Sequence, residues 1–321
     1  LFNTDQKELP DFIFSHHRHN EVNLNLGLFH FSHTSNSVRG NFGLMAGTYG
    51  NRNLADEPGV LKNIYEANAG VRLTENHALW LDMGVMESHI GFESAITQEQ
   101  NFMTRSILAE NSPYYSAGID LNYTTADNKL LFSILALNGW QTIAKENSAP
   151  FPAIGHRLFY KPNAVFSMNS SSYLGREQTA NGLRNRIFHN LYAKIENDTK
   201  GLNAIFGLDY GLQRDSFSGW NEWVGAVMEA KKELFNHFAI ASRLEYFYDA
   251  GNTIIPYGTL GLFENVGTTL SLEYAPVDNA LLRLESRNYI ADGDYYHMGE
   301  EMSTSFWYVG FSFMLKVNWG W

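Results

Sequence analysis

Arg283, Glu285 and Arg287 stand at alternate positions along the chain, as do Arg243 and Glu245. A spacing of two places side chains on one face of an extended strand, so each set forms a ladder of unlike charges. Ladders of this kind make and break no bonds. Facing water inside a pore, they create a transverse field that orders water and sorts solutes by charge and dipole. The same alternation makes Arg39, Glu66, Arg72, Asp82 and Arg186 pore-lining candidates, with Arg157 and Lys194 among further inward charges. The plainer reading of any one of them is a wall residue paired with its neighbour strand, where an exposed pair contributes only about 0–1 kcal/mol.

A second set lies close together in a long polar stretch: Glu87, His89, Glu93, Arg105, Glu110 and Asn111. These residues suit a constriction or a ligand site at a pore mouth. Equally, they supply both signs for a salt-bridged network that fixes a folded loop, because buried polar groups need partners. His16, His17 and His19 flank Arg18, but no further ligand spacing accompanies them, so a solvated loop is expected rather than a metal site. His156, His189 and His297 lie near strands, and residues 169–172 read Asn-Ser-Ser-Ser without a nucleophile motif, so no enzyme is expected. No cofactor is implied.

The elements that would carry these side chains are strands. In residues 304–319, Trp307, Val309, Phe311, Phe313, Leu315 and Val317 fall on one face, opposite Tyr308, Gly310, Ser312, Met314, Lys316 and Asn318. An alternation this long sets a greasy face against a small or polar one. A soluble sandwich would need a second sheet to cover it, whereas a membrane barrel needs only lipid outside and water inside. The ending Trp319-Gly320-Trp321 fits the membrane case.

Composition agrees. The chain has 321 residues, no cysteine and a formal charge of −11, which argues against a disulfide framework, thiolate metal sites and nucleic-acid partners. Its 17 Tyr, 22 Phe and 7 Trp suit the two aromatic girdles of an outer-membrane barrel. No run of about 18 apolar residues exists, so the chain has no helical span.

From Val22 onward the sequence divides into about fifteen strand-length segments, near the ~10 residues that a tilted membrane strand needs. Tyr65, Ala67, Ala69, Val71 and Leu73 form one outward face; Leu79, Leu81, Met83 and Val85, then Tyr115, Ala117, Ile119, Leu121 and Tyr123, form the next two. Even strand numbers are the rule, so the expectation is 16 strands, with 14 as the alternative and a first strand possible before Leu1. Short turns near Thr74, Asp127, Pro162, Asp198, Asn236 and Asp278 are expected in the periplasm. Long connections at 50–62, 88–113, 141–154, 176–184, 250–265 and 292–303 are expected to face outward. The longest, 88–113, is expected to carry a short amphipathic helix over 99–110 and to fold into the barrel mouth.

Several phrases are specific. RHNEVNLNLG spans 18–27, GLMAGTY 43–49, NIYEANAGVRL 63–73, LWLDMGVMESHIGFESA 79–95, RSILAENSPYY 105–115 and LNGWQ 137–141. Over these residues the chain resembles the OmpL-like porin family of Bacteroidota outer membranes. The resemblance implies a porin-like barrel in the outer membrane of a Gram-negative bacterium and names no substrate.

The expectation is thus an all-β, antiparallel up-and-down transmembrane barrel in one domain, 1–321. It passes small hydrophilic solutes or ions by passive diffusion and contacts outer-membrane lipid and lipopolysaccharide. A plugged accessory barrel in a larger assembly and a channel for one glycan or hydrophobic ligand are the alternatives. Inward aromatics (Trp80, Phe159, Phe188, Tyr192, Trp223) would favour a sugar path through ring stacking. A homo-oligomer is compatible with all of these.

Overall fold

The computed structural model describes residues 9–75, 77–145, 152–179, 182–214, 219–235, 237–256, 262–298 and 301–319. Fifteen antiparallel strands form one up-and-down sheet among them. They are β1 (Gly27–Thr34), β2 (Val38–Ala46), β3 (Ile64–Arg72), β4 (Ala78–Glu87), β5 (Tyr115–Thr124), β6 (Leu130–Leu137), β7 (Ala153–Tyr160) and β8 (Phe166–Thr179). Then come β9 (Gly182–Asn197), β10 (Leu202–Arg214), β11 (Trp220–Glu233), β12 (Phe238–Ala250), β13 (Leu262–Val277) and β14 (Ala280–Ala291). A hairpin of β15 (Tyr296–Met298) and β16 (Glu301–Ser303) interrupts the order before β17 (Ser305–Leu315) completes the wall. Within the described residues no ladder joins β1 to β17. The predicted leading loop lies partly outside these residues, as do Trp321 and parts of the 141–154 and 250–265 connections.

Alternation explains the wall. Phe29, Phe31, Leu244, Leu270, Leu272, Trp307, Phe311, Phe313 and Leu315 are exposed on the outer face, while Arg243, Glu245, Arg283, Glu285 and Arg287 are buried inside it. An apolar outer band over a polar interior is the arrangement that lipid outside and a polar lumen demand.

The structure departs from the expected faces at two places. In β4 the inward positions are Trp80 and Asp82, yet Val85 is buried and Glu87 lines the lumen. Gly84 (φ 130°) and Gly118 (φ 157°) are direct partners and adopt conformations that L side chains avoid. A Cβ on Gly84 would lie 2.2 Å from the Ala67 carbonyl oxygen. This paired kink reverses the faces of both strands, so Val85, Tyr115 and Ala117 turn inward instead of outward. A register shift at Gly43/Leu44 leaves Tyr65 without a partner and directs it inward beside Glu66.

Two connections also differ from expectation. β8 and β9 pair as far as Thr179↔Gly182, so 176–184 is a hairpin end rather than a long loop. Val22 and Leu24 lie outside β1 and are exposed, and the Leu24 and Asn25 carbonyls accept from the Thr48 and Tyr49 amides of a short helix, α1 (Thr48–Asn53).

Candidate functional site

Residues 88–113 fold into the barrel and divide its interior. Only Ile107–Glu110 (α2) is α-helical, with Ser106 as N-cap accepting from the Ala109 amide. The expected longer helix over 99–110 does not form; Thr97–Glu99 is a single 3-10 turn, and the backbone between them bonds to wall side chains instead.

Three wall glycines receive the loop. A Cβ on Gly155 would sit 2.7 Å from the His89 ring, one on Gly207 2.7 Å from Phe92, and one on Gly225 2.7 Å from Leu108. A strand-interior glycine marks a close approach, and each of these three is the seat of one loop side chain.

The loop is then clamped to β11–β14. Arg287 donates to Glu245 Oε1 (2.6 Å), Thr104 Oγ1 (2.9 Å) and the Arg105 carbonyl (2.7 Å). Arg243 donates to the Thr104 carbonyl at 2.9 Å. Glu245 accepts the Ile107 amide at 2.6 Å, and Glu285 accepts the Met103 amide at 2.7 Å and the Thr104 hydroxyl. Arg283 donates to the Thr97 (2.6 Å) and Phe102 (2.7 Å) carbonyls and to Glu273 (2.9 Å). Every charged head here has a charge-assisted partner, and backbone groups of the loop take up several further donors and acceptors, while Arg243 Nε is buried without a hydrogen bond, 3.6 Å from Glu245. The ladder expected to face open water therefore faces protein.

A second insert braces the loop from the other side. Phe12 packs on Phe263 (5.1 Å between ring centres) and Tyr289 (5.4 Å). The Phe14 amide donates to Glu110 at 3.0 Å, and Arg105 donates to Ser15 Oγ at 3.1 Å while lying 3.5 Å from Glu110. Burial pushes the Glu110 carboxyl above the usual carboxylate range, against the opposing pull of Arg105 and the backbone donors. His17 and His19 are buried here, and His16 Nε2 lies 3.3 Å from Thr97 Oγ1, so the segment expected to be a solvated loop is packed inside.

The mouth-loop candidates divide. Arg105, Glu110 and Asn111 join the network just described; Glu93 accepts from the Ser106 hydroxyl (2.7 Å) and reaches Arg243 (3.4 Å). His89 instead lies 2.9 Å from the Ser172 carbonyl, which requires the proton on Nε2, and burial lowers its pKa to about 4. Glu87 accepts the Tyr65 hydroxyl at 2.8 Å.

The remaining pore-lining candidates sit on the opposite wall. Asp82 is bonded by Arg39 (Nε at 2.7 Å) and by Asn122 (2.6 Å), and Arg39 stacks on Trp80 at 4.4 Å. Glu66 lies 2.9 Å from His30 Nε2. Arg72 donates to the His77 carbonyl at a turn (3.2 Å), and Arg186 donates to Gln213 (2.9 Å) under Trp140.

Between this wall and the loop lies a cavity of about 230 Å³, lined by Tyr65, Glu87, Phe92, Arg157, Tyr192 and Lys194 among others. Arg157 donates to Asn169 (3.2 Å) and Lys194 to the Phe92 carbonyl (3.2 Å). Among the described residues neither makes an ion pair. Alternation places both inward, with Glu93, Glu196 and Glu229 near Lys194 but outside ion-pair distance.

Residues 2–317 match the family model "Putative beta-barrel porin-2, OmpL-like". No curated protein matches the chain in sequence. Among solved structures, the outer membrane channel DcaP of Acinetobacter baumannii is similar at 12% identity and TM-score 0.59, over 90% of this chain and 83% of that one. A loop-deleted OmpT of Vibrio cholerae gives 9% identity and TM-score 0.56, over 91% and 89%. The anion-selective porin from Comamonas acidovorans gives 10% and 0.55, over 88% and 83%. These likenesses show the barrel fold, and the family match extends along nearly the whole chain. The chain belongs to the OmpL-like porin family, an outer-membrane β-barrel of a Gram-negative bacterium.

Proposed function

We propose that small hydrophilic solutes diffuse passively along the part of the lumen that the loop leaves open, through the space between residues 88–113 and the inner faces of β2–β5, β7 and β9. The observation that carries this reading is an uneven clamp: residues 97–107 are held by buried charges of β11–β14, while residues 89–92 rest on β7–β10 through single contacts. Arg243, Glu245, Arg283, Glu285 and Arg287 are committed to the loop, whereas Arg157, Lys194 and Glu87 line the cavity. A channel role needs no nucleophile. His156 and His189, stacked at 5.9 Å beside Ser170 and Ser172, belong to the outer face of β7–β9.

That outer patch supports a homo-oligomer. Polar groups facing hydrocarbon are costly, and this cluster stands at mid-strand where lipid would otherwise meet it. A similar structure, the OmpT of Vibrio cholerae, is described in a trimer form, in keeping with a second copy covering β7–β9 here. A monomeric mass in mild detergent would count against this assembly.

The diffusion reading is tested by single-channel recording of the purified protein in a planar bilayer. Stable, stepwise conductance is expected. A protein that inserts and folds but stays silent would move the reading to a plugged, accessory barrel.

A further inference from the structure

We propose that the cavity beside the loop is a binding subsite for a six-membered sugar acid, a hexuronate-type solute, on its way through the barrel. This deepens the diffusion reading and rests on it.

The cavity has two chemically distinct poles. On one side Lys194 and Arg157 come from β9 and β7; Lys194 donates to the Phe92 carbonyl and Arg157 to Asn169, each at 3.2 Å, and Arg157 also bonds the Tyr192 side chain. Of the carboxylates that line the same cavity, Glu93 accepts from Ser106 and reaches Arg243, Glu99 accepts from Ser94 and lies 3.7 Å from Lys316, and Glu87 accepts from Tyr65. Two cations that make no ion pair among the described residues, at the edge of one cavity, are a seat for one carboxylate, which accepts charge-assisted bonds from both.

On the other side Glu87 keeps an acceptor oxygen beyond the one that Tyr65 occupies, and Ser88, Ser94 and Ser112 line the same space. These groups accept from hydroxyls. Beside the cations Phe92 and Tyr192 meet edge to face at 5.6 Å, their rings 5.8 and 5.7 Å from Lys194 Nζ, and form an aromatic side wall against which the apolar face of a sugar ring packs. A ring with a carboxylate at one end and hydroxyls at the other matches all three features.

Size agrees. A cavity of about 150 Å³ accepts a bare benzene ring, so about 230 Å³ accommodates one six-membered ring with its substituents.

The test is current blockade in single channels by glucuronate, compared with glucose and with glycine, together with calorimetric binding of each to the protein in detergent. Glucuronate is expected to interrupt the current and to bind, with glucose at least about tenfold weaker, because it lacks the group that takes the charge-assisted bonds. Lys194→Gln and Arg157→Gln should each weaken glucuronate about tenfold or more, leave glucose unchanged, and keep the barrel's heat-modifiable gel migration.

Equal blockade by glucuronate and glucose would overturn the proposal. So would glycine acting as strongly as glucuronate, since that makes the site a zwitterion site. The wild-type comparison decides even if a variant fails to fold. Conductance without glucuronate-specific blockade sinks the subsite and leaves the diffusion reading standing. Glucuronate binding by a protein that carries no current does the reverse.

Discussion

The two halves of the inner wall use the same residue types for opposite ends. On β11–β14, arginines and glutamates are sealed beneath residues 97–107, and loop backbone takes up several of their donors and acceptors. On β2–β9, Arg39, Asp82, Glu87, Arg157 and Lys194 stand at the edge of open space and pair, where they pair, across strands or to neutral oxygens. Charge type and inward direction therefore do not define a pore-lining residue. What covers the side chain does.

The largest effect that would break this contrast is expected at Arg287. Its guanidinium serves Glu245, Thr104 and the Arg105 carbonyl with no solvent access, so Arg287→Ala removes the closest ion partner of buried Glu245, leaving Arg243 at 3.6 Å, and should cost about 3 kcal/mol of loop docking. Single-channel recordings should then show a larger, noisier conductance, with the barrel still formed. An unchanged trace would mean that the clamp does not shape the passage.

Next comes the glycine seat. Gly207→Val would bring its Cβ against Phe92 and Val227, and overpacking of this kind costs about 1–3 kcal/mol. Displacement of Phe92 should appear as altered blockade by solutes, while Gly219→Ala, in open space, should leave blockade as it was.

A smaller effect follows from His89. Above pH 6.5 the imidazole is neutral in both folded and unfolded loop. As pH falls below 6.5 the unfolded loop takes a proton that the buried ring refuses until about pH 4, so docking of this leg weakens across that window. Because Nδ1 is buried without a partner, His89→Gln should remove most of this pH dependence, as read by proteolysis of the loop between pH 7 and 4.

The smallest effect is expected at Arg39, whose side chain is about a third exposed beside Asp82. Arg39→Gln should change thermal stability by less than about 1 kcal/mol and shift ion preference only slightly. A loss comparable to that of Arg287→Ala would erase the distinction between the two walls.

The sequence showed the wall plainly because alternation is a local property. Phe311, Phe313 and Leu315 stand outside as the pattern requires, and Arg283, Glu285 and Arg287 stand inside. What meets the inside faces was hidden, since Met103 and Glu285 are 182 residues apart and no local period links them. The reversed faces at Tyr65, Val85, Tyr115 and Ala117 were also missed, although Gly84 and Gly118 carried a signal. A glycine inside an otherwise regular strand, opposite another, is a mark of a kink. Gly155, Gly207 and Gly225 were equally visible as strand-interior glycines, but which loop residue each would receive was not.

The central claim is that residues 97–108 stay on the β11–β14 wall while the channel conducts. The chain has no cysteine, so Gly225→Cys with Leu108→Cys introduces a single pair at the point where the loop is seated, and oxidation joins loop to wall. Single-channel conductance of this variant before and after oxidation is the direct test. The same open-state conductance in both states, with less noise once joined, is the predicted result. A conductance that collapses on oxidation and returns on reduction would show that the loop must leave this wall for solutes to pass.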